Sequence, residues 1–290
     1  MKLVTYNIQF GRGKDEVNDL ERIAREVTGA DIICLQEVDR FWPRSHEIDQ
    51  VDWFCNRFPE FHAEYGAGVS IGADQTDNDG NVMHRKREFG NLTLSRFPIV
   101  YSRHHLLPKY SSTGSPISIQ RSVLESIVDI GEHILRIMNT HLTHLSSATR
   151  EPQIQRLLEI HRRALLEGEP VSGDMNGSYW ELPEPLPTPP QQTIMAGDFN
   201  FEPDSDNYTT IVGPNCDYGG RISNPTLFMD ARVAAGYPEN EGYTSDVNQR
   251  PARLDHLFIS PSLATRVADC YIDNTALGSD HDPMWLELSL

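Results

Sequence analysis

Short apolar segments alternate with amphipathic segments along most of the chain. Residues 2–8 and 30–38 are nearly continuous apolar runs of strand length, whereas residues 17–28 and 149–167 place apolar side chains at intervals of three and four. A short continuous run is typical of a strand buried on both faces, and the second spacing is typical of a helix that packs on one side. The pattern therefore predicts an alternating α/β protein.

Further elements follow from the same patterns. Residues 47–58 predict a helix that Pro59 closes. The segments GNLTLSRFPIV, ISIQRSVLESIVDI and HILRIMNTHL predict three successive strands. Residues 168–192 are rich in Gly, Ser and Pro, which predicts a long irregular loop, either disordered or a functional lid. Because strand patterns resume after this loop, we expect a single domain over residues 1–290 that carries it as an acidic, proline-rich insertion.

The charge balance bears on the class of partner. The chain has 42 acidic and 25 basic residues, a formal net charge of −17, and it has no Lys or Arg between Arg163 and Arg221. Proteins that hold nucleic acid through its phosphates usually present a basic surface. Nucleic acid is therefore a disfavoured partner that charge alone does not exclude. A solvated acidic surface is the alternative explanation of the acidic stretch.

The start of the chain and its cysteines bear on location. The first ten residues lack the charged start, apolar core and cleavage site of a signal peptide, and no apolar run reaches 18 residues. Cysteines 34, 55, 216 and 270 show no paired spacing, so we expect reduced thiols. These observations predict a cytoplasmic protein without a membrane-spanning helix.

Polar side chains stand where the apolar runs end or begin. In MAGDFN, Asp198 and Asn200 are two residues apart, so on an extended strand they point to the same face. Each such residue taken singly has an ordinary structural explanation, such as a turn cap or an ion pair. The whole set comprises Asn7, Glu37, His141, Asp198, Asn200, Asp255, Asp280 and His281.

These residues lie in seven segments that resemble the endonuclease/exonuclease/phosphatase superfamily, whose members share the fold of DNase I. The segments extend from residue 5 to residue 283 and read TYNIQFG, LQEVDR, GNLTLSRFPI, NTHL, GDFN, LDHLFIS and SDHDP. The resemblance implies a four-layer α/β sandwich, with two packed mixed β-sheets flanked by helices. It also implies a metal-dependent phosphoesterase whose site lies at one end, between the sheets.

The resemblance divides the polar residues into two groups, of which one binds metal. Asn7, Glu37 and Asp280 fall in this group, with Glu37 as the main ligand of Mg²⁺, for which Mn²⁺ is the expected substitute. Magnesium prefers a few carboxylates together with water and substrate phosphate. Zinc is disfavoured, because His141 and His144 in THLTH have no third ligand at zinc-site spacing.

The other group acts on the phosphate. By the resemblance, Asp198 orients or deprotonates the attacking water, and Asn200 holds the oxygens on phosphorus. His141 and His281 contact the phosphate. Asp255 fixes the tautomer of His281, and a carboxylate neighbour of this kind raises the pKa of a histidine.

Two arginines are candidates for substrate contacts. Arg96 lies in the LSRFP segment and Arg121 precedes an apolar strand pattern. The alternatives are a structural strand end for Arg96 and an exposed strand arginine for Arg121.

Three functions are compatible with the sequence. The favoured one is a phosphodiesterase that acts on a small or lipid-linked phosphate ester. The second is a nuclease, for which the HRKR run at 84–87, Arg103 and Lys109 provide either a basic rim or simply a solvated loop. The third is a catalytically inactive binding protein on the same scaffold, which the intact polar set argues against.

Overall fold

The computed structural model describes residues 1–174, 179–180, 182–246 and 250–290. The strands are β1 (Lys2–Asn7), β2 (Ile32–Arg40), β3 (His62–Gly72), β4 (Gln75–Thr76), β5 (Val82–Met83), β6 (Lys86–Ser95), β7 (Ile99–Leu106), β8 (Ser122–Asp129), β9 (Ile134–His141), β10 (Thr193–Asp198), β11 (Met229–Asp230), β12 (Asp255–Ile259), β13 (Val267–Ile272) and β14 (Met284–Leu288). The α-helices are α1 (Leu20–Glu26), α2 (Gln50–Arg57), α3 (Ser147–Glu167), α4 (Asp206–Val212) and α5 (Ala231–Ala234).

The strands form two six-stranded mixed sheets. The first has the order β13-β14-β1-β2-β6-β3 and the second the order β11-β12-β10-β9-β8-β7, while β4 and β5 form a separate ribbon. The pairs β1–β2 and β9–β10 are parallel, and the other neighbours within the two large sheets are antiparallel. Each sheet therefore has a parallel pair near its centre, and the two strands of that pair end at the same edge.

Three apolar layers hold these sheets and helices together. In β1, Leu3 points into the layer between the sheets, whereas Val4 and Tyr6 point outward against α1 and α2. In β10, Ile194 points inward and Met195 points outward against α3 and α4. Alternate side chains of a strand point to opposite faces, so a strand covered on both faces reads as a continuous apolar run. This arrangement is the four-layer α/β sandwich predicted from the sequence.

The predicted elements differ from the structure mainly at their ends. The predicted helices at 17–28, 47–58 and 149–167 are α1, α2 and α3. The single strand predicted from GNLTLSRFPIV is wrong, because β6 ends at Ser95 and the chain turns before β7 begins. The edge strands β3 and β13 are absent from the prediction.

The proline-rich segment at 168–192 is described only in part, since residues 175–178 and 181 lie outside the described residues. Its described ends contact β7: the Arg103 guanidinium donates to Gly168 O at 2.6 Å, and the Tyr101 hydroxyl donates to Pro187 O at 3.1 Å. All four cysteines are free. No helix in the described ranges has the length and apolar character needed to cross a membrane.

Candidate active site

The carboxyl ends of the two parallel pairs meet across the layer between the sheets. Asn7 ends β1 and Glu37 lies near the end of β2, while His141 ends β9 and Asp198 ends β10. Because β12 runs antiparallel to β10, its first residue, Asp255, pairs with Asp198. Polar residues that are far apart in the sequence therefore converge at one end of the molecule, where sheets with parallel strands commonly bind ligands.

Asp198 lies at the centre of this cluster and is 2% exposed. Its Oδ2 accepts a hydrogen bond from Asn7 at 3.0 Å and lies 3.2 Å from His141 Nε2, while its Oδ1 accepts from the backbone N–H of Asn200. Burial alone would raise the pKa of Asp198, but His141, His281 and these hydrogen bonds hold it well below its ordinary value. Asp198 is therefore an ionised, oriented carboxylate.

Asp255 and His281 form a buried pair beside Asp198. The distance from His281 Nδ1 to Asp255 Oδ2 is 2.6 Å. Burial opposes the charged form of both groups and raises the pKa of Asp255. At His281 the carboxylates of Asp255, Asp198 and Asp280 outweigh burial and raise its pKa well above the ordinary value. The shared proton therefore stays on His281, whose Nε2 lies 3.8 Å from Asp198.

Two further carboxylates lie on the other side of the cluster. Glu37 Oε1 is 3.8 Å from His141 Nδ1, and Asp280 Oδ2 accepts a hydrogen bond from the side chain of Gln9 at 2.9 Å. Burial raises the pKa of Asp280, His281 partly offsets this increase, and the charge of Glu37 adds to it. Two carboxylates that repel one another in this way favour a cation between them.

The donor set indicates which cation fits. In the parts of the chain that the structure describes, no three His, Cys, Asp or Glu side chains converge as ligands of one metal ion. This argues against a closed structural site of the zinc type. It fits magnesium, which takes one or two carboxylates and completes its shell with water and substrate oxygens. Glu37 and Asp280 are the two carboxylates that could hold such a cation.

Backbone conformation directs several of these side chains. Glu37, Asn200 and Gln9 have φ values of 61°, 55° and 43°, a region that residues other than glycine seldom occupy. Glu37 lies between Leu35 and Val38, where the pairing of β2 with β6 shifts register. Bulges of this kind redirect a side chain, and they are common next to active sites.

Gln9 is not among the residues predicted from the sequence. Its side chain donates to Asp280, and its backbone N–H donates to Asn7 Oδ1 at 3.1 Å. Gln9 thus connects the residue that orients Asp198 to the carboxylate pair. The signal that could have found it is its spacing, because it follows Asn7 by two positions, as Asn200 follows Asp198.

Arg121 lies within the cluster and is 4% exposed. Its Nη1 donates to His141 Nδ1 at 3.0 Å, and its Nη2 lies 3.5 Å from His144 Nδ1. Burial lowers the pKa of Arg121, although Glu37 and Asp198 favour its charged form. The alternative of an exposed strand arginine is therefore wrong.

Arg96 lies at the opposite end of the first sheet. Its neighbour Ser95 pairs with Ile32 at the start of β2, whereas Glu37 is five residues further along that strand, roughly 16 Å away. The Arg96 guanidinium packs over the ring of Phe61, 4.7 Å from its centroid. The prediction of a substrate contact for Arg96 is wrong, because this end of β6 points away from the polar cluster.

The fold has counterparts among solved structures. The mannosyl-6-phosphatase of Bacteroides thetaiotaomicron VPI-5482 is 17% identical, with a TM-score of 0.61 and coverage of 100% of both chains. The 3′ phosphatase from Neisseria, bound to a product DNA hairpin, is 15% identical, with a TM-score of 0.58 and 100% coverage of both. The catalytic domain of human Nocturnin, with a bound sulfate, is 16% identical, with a TM-score of 0.63 and coverage of 100% of this chain and 94% of that one. At these identities the likeness shows the shared fold alone.

The sequence itself also matches a family profile. The profile of the Endonuclease/Exonuclease/phosphatase family covers residues 4–281, which include every polar residue of the cluster. Members of this family are hydrolases that act on phosphate esters. The chain therefore belongs to the endonuclease/exonuclease/phosphatase family.

Proposed function

We propose that the chain is a Mg²⁺-dependent phosphodiesterase that cleaves a small or lipid-linked phosphate ester by attack of an activated water. The observation that carries this proposal is the position of Asp198. This ionised carboxylate lies 3.2 Å from His141 and 3.8 Å from His281, and the Glu37–Asp280 carboxylate pair lies in the same cluster. An ionised carboxylate, a charged imidazole and two carboxylates that could hold a cation thus lie within one cluster.

Glu37 and Asp280 are the residues that would hold the metal, with Mn²⁺ as a substitute for Mg²⁺. When bound, such a cation neutralises charge on the phosphoryl oxygens and activates the phosphorus toward attack. Asn7 has its amide nitrogen committed to Asp198 and its oxygen to Gln9. We therefore assign Asn7 mainly to holding the orientation of Asp198.

Each remaining side chain has a separate task. Asp198 accepts a hydrogen bond from the attacking water and orients it, and its lowered pKa favours this role over complete proton abstraction. As the new bond from the water oxygen to phosphorus forms, the bond from phosphorus to the leaving oxygen breaks. The charged His281 donates from Nε2 to an oxygen on phosphorus, and Asp255 keeps it charged. Asn200 lies 3.1 Å from His141 Nε2 and offers its amide to the same oxygens. Fixed donors that are already aimed need little reorganisation in the transition state.

The charge of the site favours a diester over a monoester. Four carboxylates, Glu37, Asp198, Asp255 and Asp280, lie with the cationic groups Arg121 and His281, and the charge of Arg150 also acts on Asp198. A phosphate diester brings a single negative charge to this acidic surrounding, whereas a monoester dianion brings nearly two. An acidic surrounding lowers the local concentration of an anionic substrate, and this effect is larger for the monoester dianion than for the diester.

Ion pairing argues for a small ester over nucleic acid. In the HRKR segment, Arg85 and Arg87 lie 3.2 and 3.6 Å from the carboxylate of Glu47, and His84 lies 3.2 Å from Asp74. Charges that acidic neighbours already compensate contribute little to holding a phosphate backbone. The basic rim that would support a nuclease is therefore largely neutralised.

A substrate panel tests the proposal. Bis-p-nitrophenyl phosphate, p-nitrophenyl phosphate, a phospholipid headgroup ester and supercoiled plasmid are compared with Mg²⁺, Mn²⁺ and Ca²⁺ at about 0.15 M salt. We expect clear cleavage of the diester or the headgroup ester, slower cleavage of the monoester and weak nicking. Efficient nicking under these conditions would reverse the assignment in favour of a nuclease. Absence of turnover on all four would favour a binding protein.

A further inference from the structure

The surroundings of Arg121 differ from those of Arg136 and Arg253, two other buried arginines of the second sheet and its flank. Arg136 lies 2.7 Å from the carboxylate of Glu125, and Arg253 lies 2.9 Å from that of Asp230. A buried guanidinium normally has such a partner, because an unpaired buried charge is costly. Arg121 instead directs its two terminal nitrogens at imidazole rings. Structural ion pairing therefore does not explain its burial.

The contacts of Arg121 bear on the tautomer of His144. A guanidinium carries only N–H donors, so a ring nitrogen that faces it must accept. Nδ1 of His141 lies 3.0 Å from Arg121 Nη1, and Nδ1 of His144 lies 3.5 Å from Nη2. In His144 the hydrogen therefore lies on Nε2.

The Nε2 atoms of the two histidines have different surroundings. In His141 this atom lies 3.2 Å from Asp198 Oδ2 and 3.1 Å from the amide nitrogen of Asn200, inside the cluster. The side chain of His144 is exposed, yet it lies near enough to Glu37 and Asp198 for their charges to act on it. An exposed N–H that Arg121 orients beside these carboxylates suits an acceptor oxygen that enters from solvent.

We infer that His144 is a substrate-contacting residue, which donates its Nε2–H to an oxygen of the bound phosphate ester. Arg121 is the positioning residue that holds His144 in the required tautomer and orientation. The inference rests on the proposed function, because it assigns these two residues to binding at the same site.

Kinetics with bis-p-nitrophenyl phosphate test the role of His144. We expect His144→Ala to raise KM about tenfold, the typical effect of losing a hydrogen bond to a charged group, with kcat changed less than about twofold. His144→Gln retains an N–H donor and should recover much of the loss. The matched control is His62→Ala, which removes an exposed histidine at the start of β3, beside Ser95 and far from the site. An unchanged KM in His144→Ala would overturn the inference.

A second pair of measurements tests Arg121. Nitrogen-15 spectra of the histidine rings should show the Nε2–H tautomer for His144 in the wild type and a mixture in Arg121→Gln. The Arg121→Gln variant should also raise KM, and adding His144→Ala to it should change KM less than about twofold, because the two act as one unit. Effects that multiply would contradict the positioning role. If Arg121→Gln does not fold, His144→Ala alone decides the inference.

Failure of this inference can be told apart from failure of the proposed function. Wild-type turnover tests the proposed function, whereas the comparison of variants tests His144. If the wild type has no turnover, calorimetry with inorganic phosphate and Mg²⁺ still tests His144. There His144→Ala should weaken phosphate binding about tenfold, and equal affinity would overturn the inference.

Discussion

At the scale of single residues, Gly197 determines where the carboxylate of Asp198 lies. It has a φ of 149°, and a Cβ at this position would overlap the carbonyl oxygen of Thr140 on the paired strand. We expect Gly197→Ala to lower the free energy of unfolding by about 3 kcal/mol or more, because β10 must move away from β9. Urea unfolding measures this. Gly72→Ala, where a Cβ meets open space, is the matched control, and equal stability of both variants would contradict the account.

The contact between Asp255 and His281 supports a second prediction at this scale. Asp255→Asn keeps the shape of the side chain but removes the charge that favours the imidazolium. We expect kcat/KM of the folded variant to fall by about 100-fold or more, and the melting temperature to fall as well, because the buried pair is broken. The control is Asp79→Asn, which changes an exposed acid on the β4–β5 connection. A loss below about fivefold in Asp255→Asn would contradict the assigned role.

At the scale of elements, β12 carries a buried histidine in an aromatic layer. His256 stacks against both Phe201 and Phe258 and lies 2.9 Å from Phe201 O, to which Nε2 donates. Burial lowers the pKa of His256 to about 3, with a further decrease from Arg253. The folded state therefore keeps it neutral, while the unfolded chain protonates it below about pH 6.5.

The sign of this effect gives a third prediction. Between about pH 6.5 and pH 3 only the unfolded chain binds a proton at His256. The free energy of unfolding therefore falls by about 1.4 kcal/mol for each pH unit as the pH decreases through this range. His256→Phe should therefore lose about 2 kcal/mol less than the wild type between pH 7 and pH 5. Urea unfolding at both values measures the difference. His62→Gln, at an exposed position, should keep the wild-type dependence, and an unchanged dependence in His256→Phe would contradict the buried neutral state.

The elements that the sequence predicts are those with the strongest apolar patterns. Strands β1, β2 and β10 are covered on both faces, and α3 has a continuous apolar face, so their patterns are unambiguous. The edge strand β3 mixes three glycines with half-buried side chains and has no such pattern. The register shift that redirects Glu37 depends on the pairing of β2 with β6, and the spacing of residues within β2 does not predict it.

At the scale of the whole molecule, the net charge of −17 bears on which substrates approach the site. Because the basic segment at 84–87 is largely paired, we expect a long oligothymidylate to inhibit cleavage of bis-p-nitrophenyl phosphate weakly. We also expect KM for this small ester to change less than about threefold between 50 and 200 mM salt, whereas proteins that bind many phosphates lose about 10³-fold in affinity over this range. Tight, salt-sensitive inhibition by the oligonucleotide would contradict the small-ester assignment.

Assembly of the site from distant segments limits what residue patterns reveal. Asn7 and Asp198 form a hydrogen bond across 191 positions, and spacing within the sequence could not predict that contact. The resemblance to a known family supplied the residue set, and the structure brings that set together with the exception of Arg96. The burial of Arg121 depends on packing against Phe89 of the first sheet, and its contact with His144 depends on the register in which β8 pairs with β9, so neither was predictable from the sequence.

Turnover of bis-p-nitrophenyl phosphate before and after chelation tests whether hydrolysis depends on a cation held by Glu37 and Asp280. We expect EDTA to abolish turnover and added Mg²⁺ to restore it. Glu37→Gln should lower turnover by about 100-fold or more, while circular dichroism shows that the variant stays folded. Full activity of the wild type in EDTA, or of folded Glu37→Gln with Mg²⁺, would contradict the claim that a cation held by Glu37 and Asp280 drives hydrolysis.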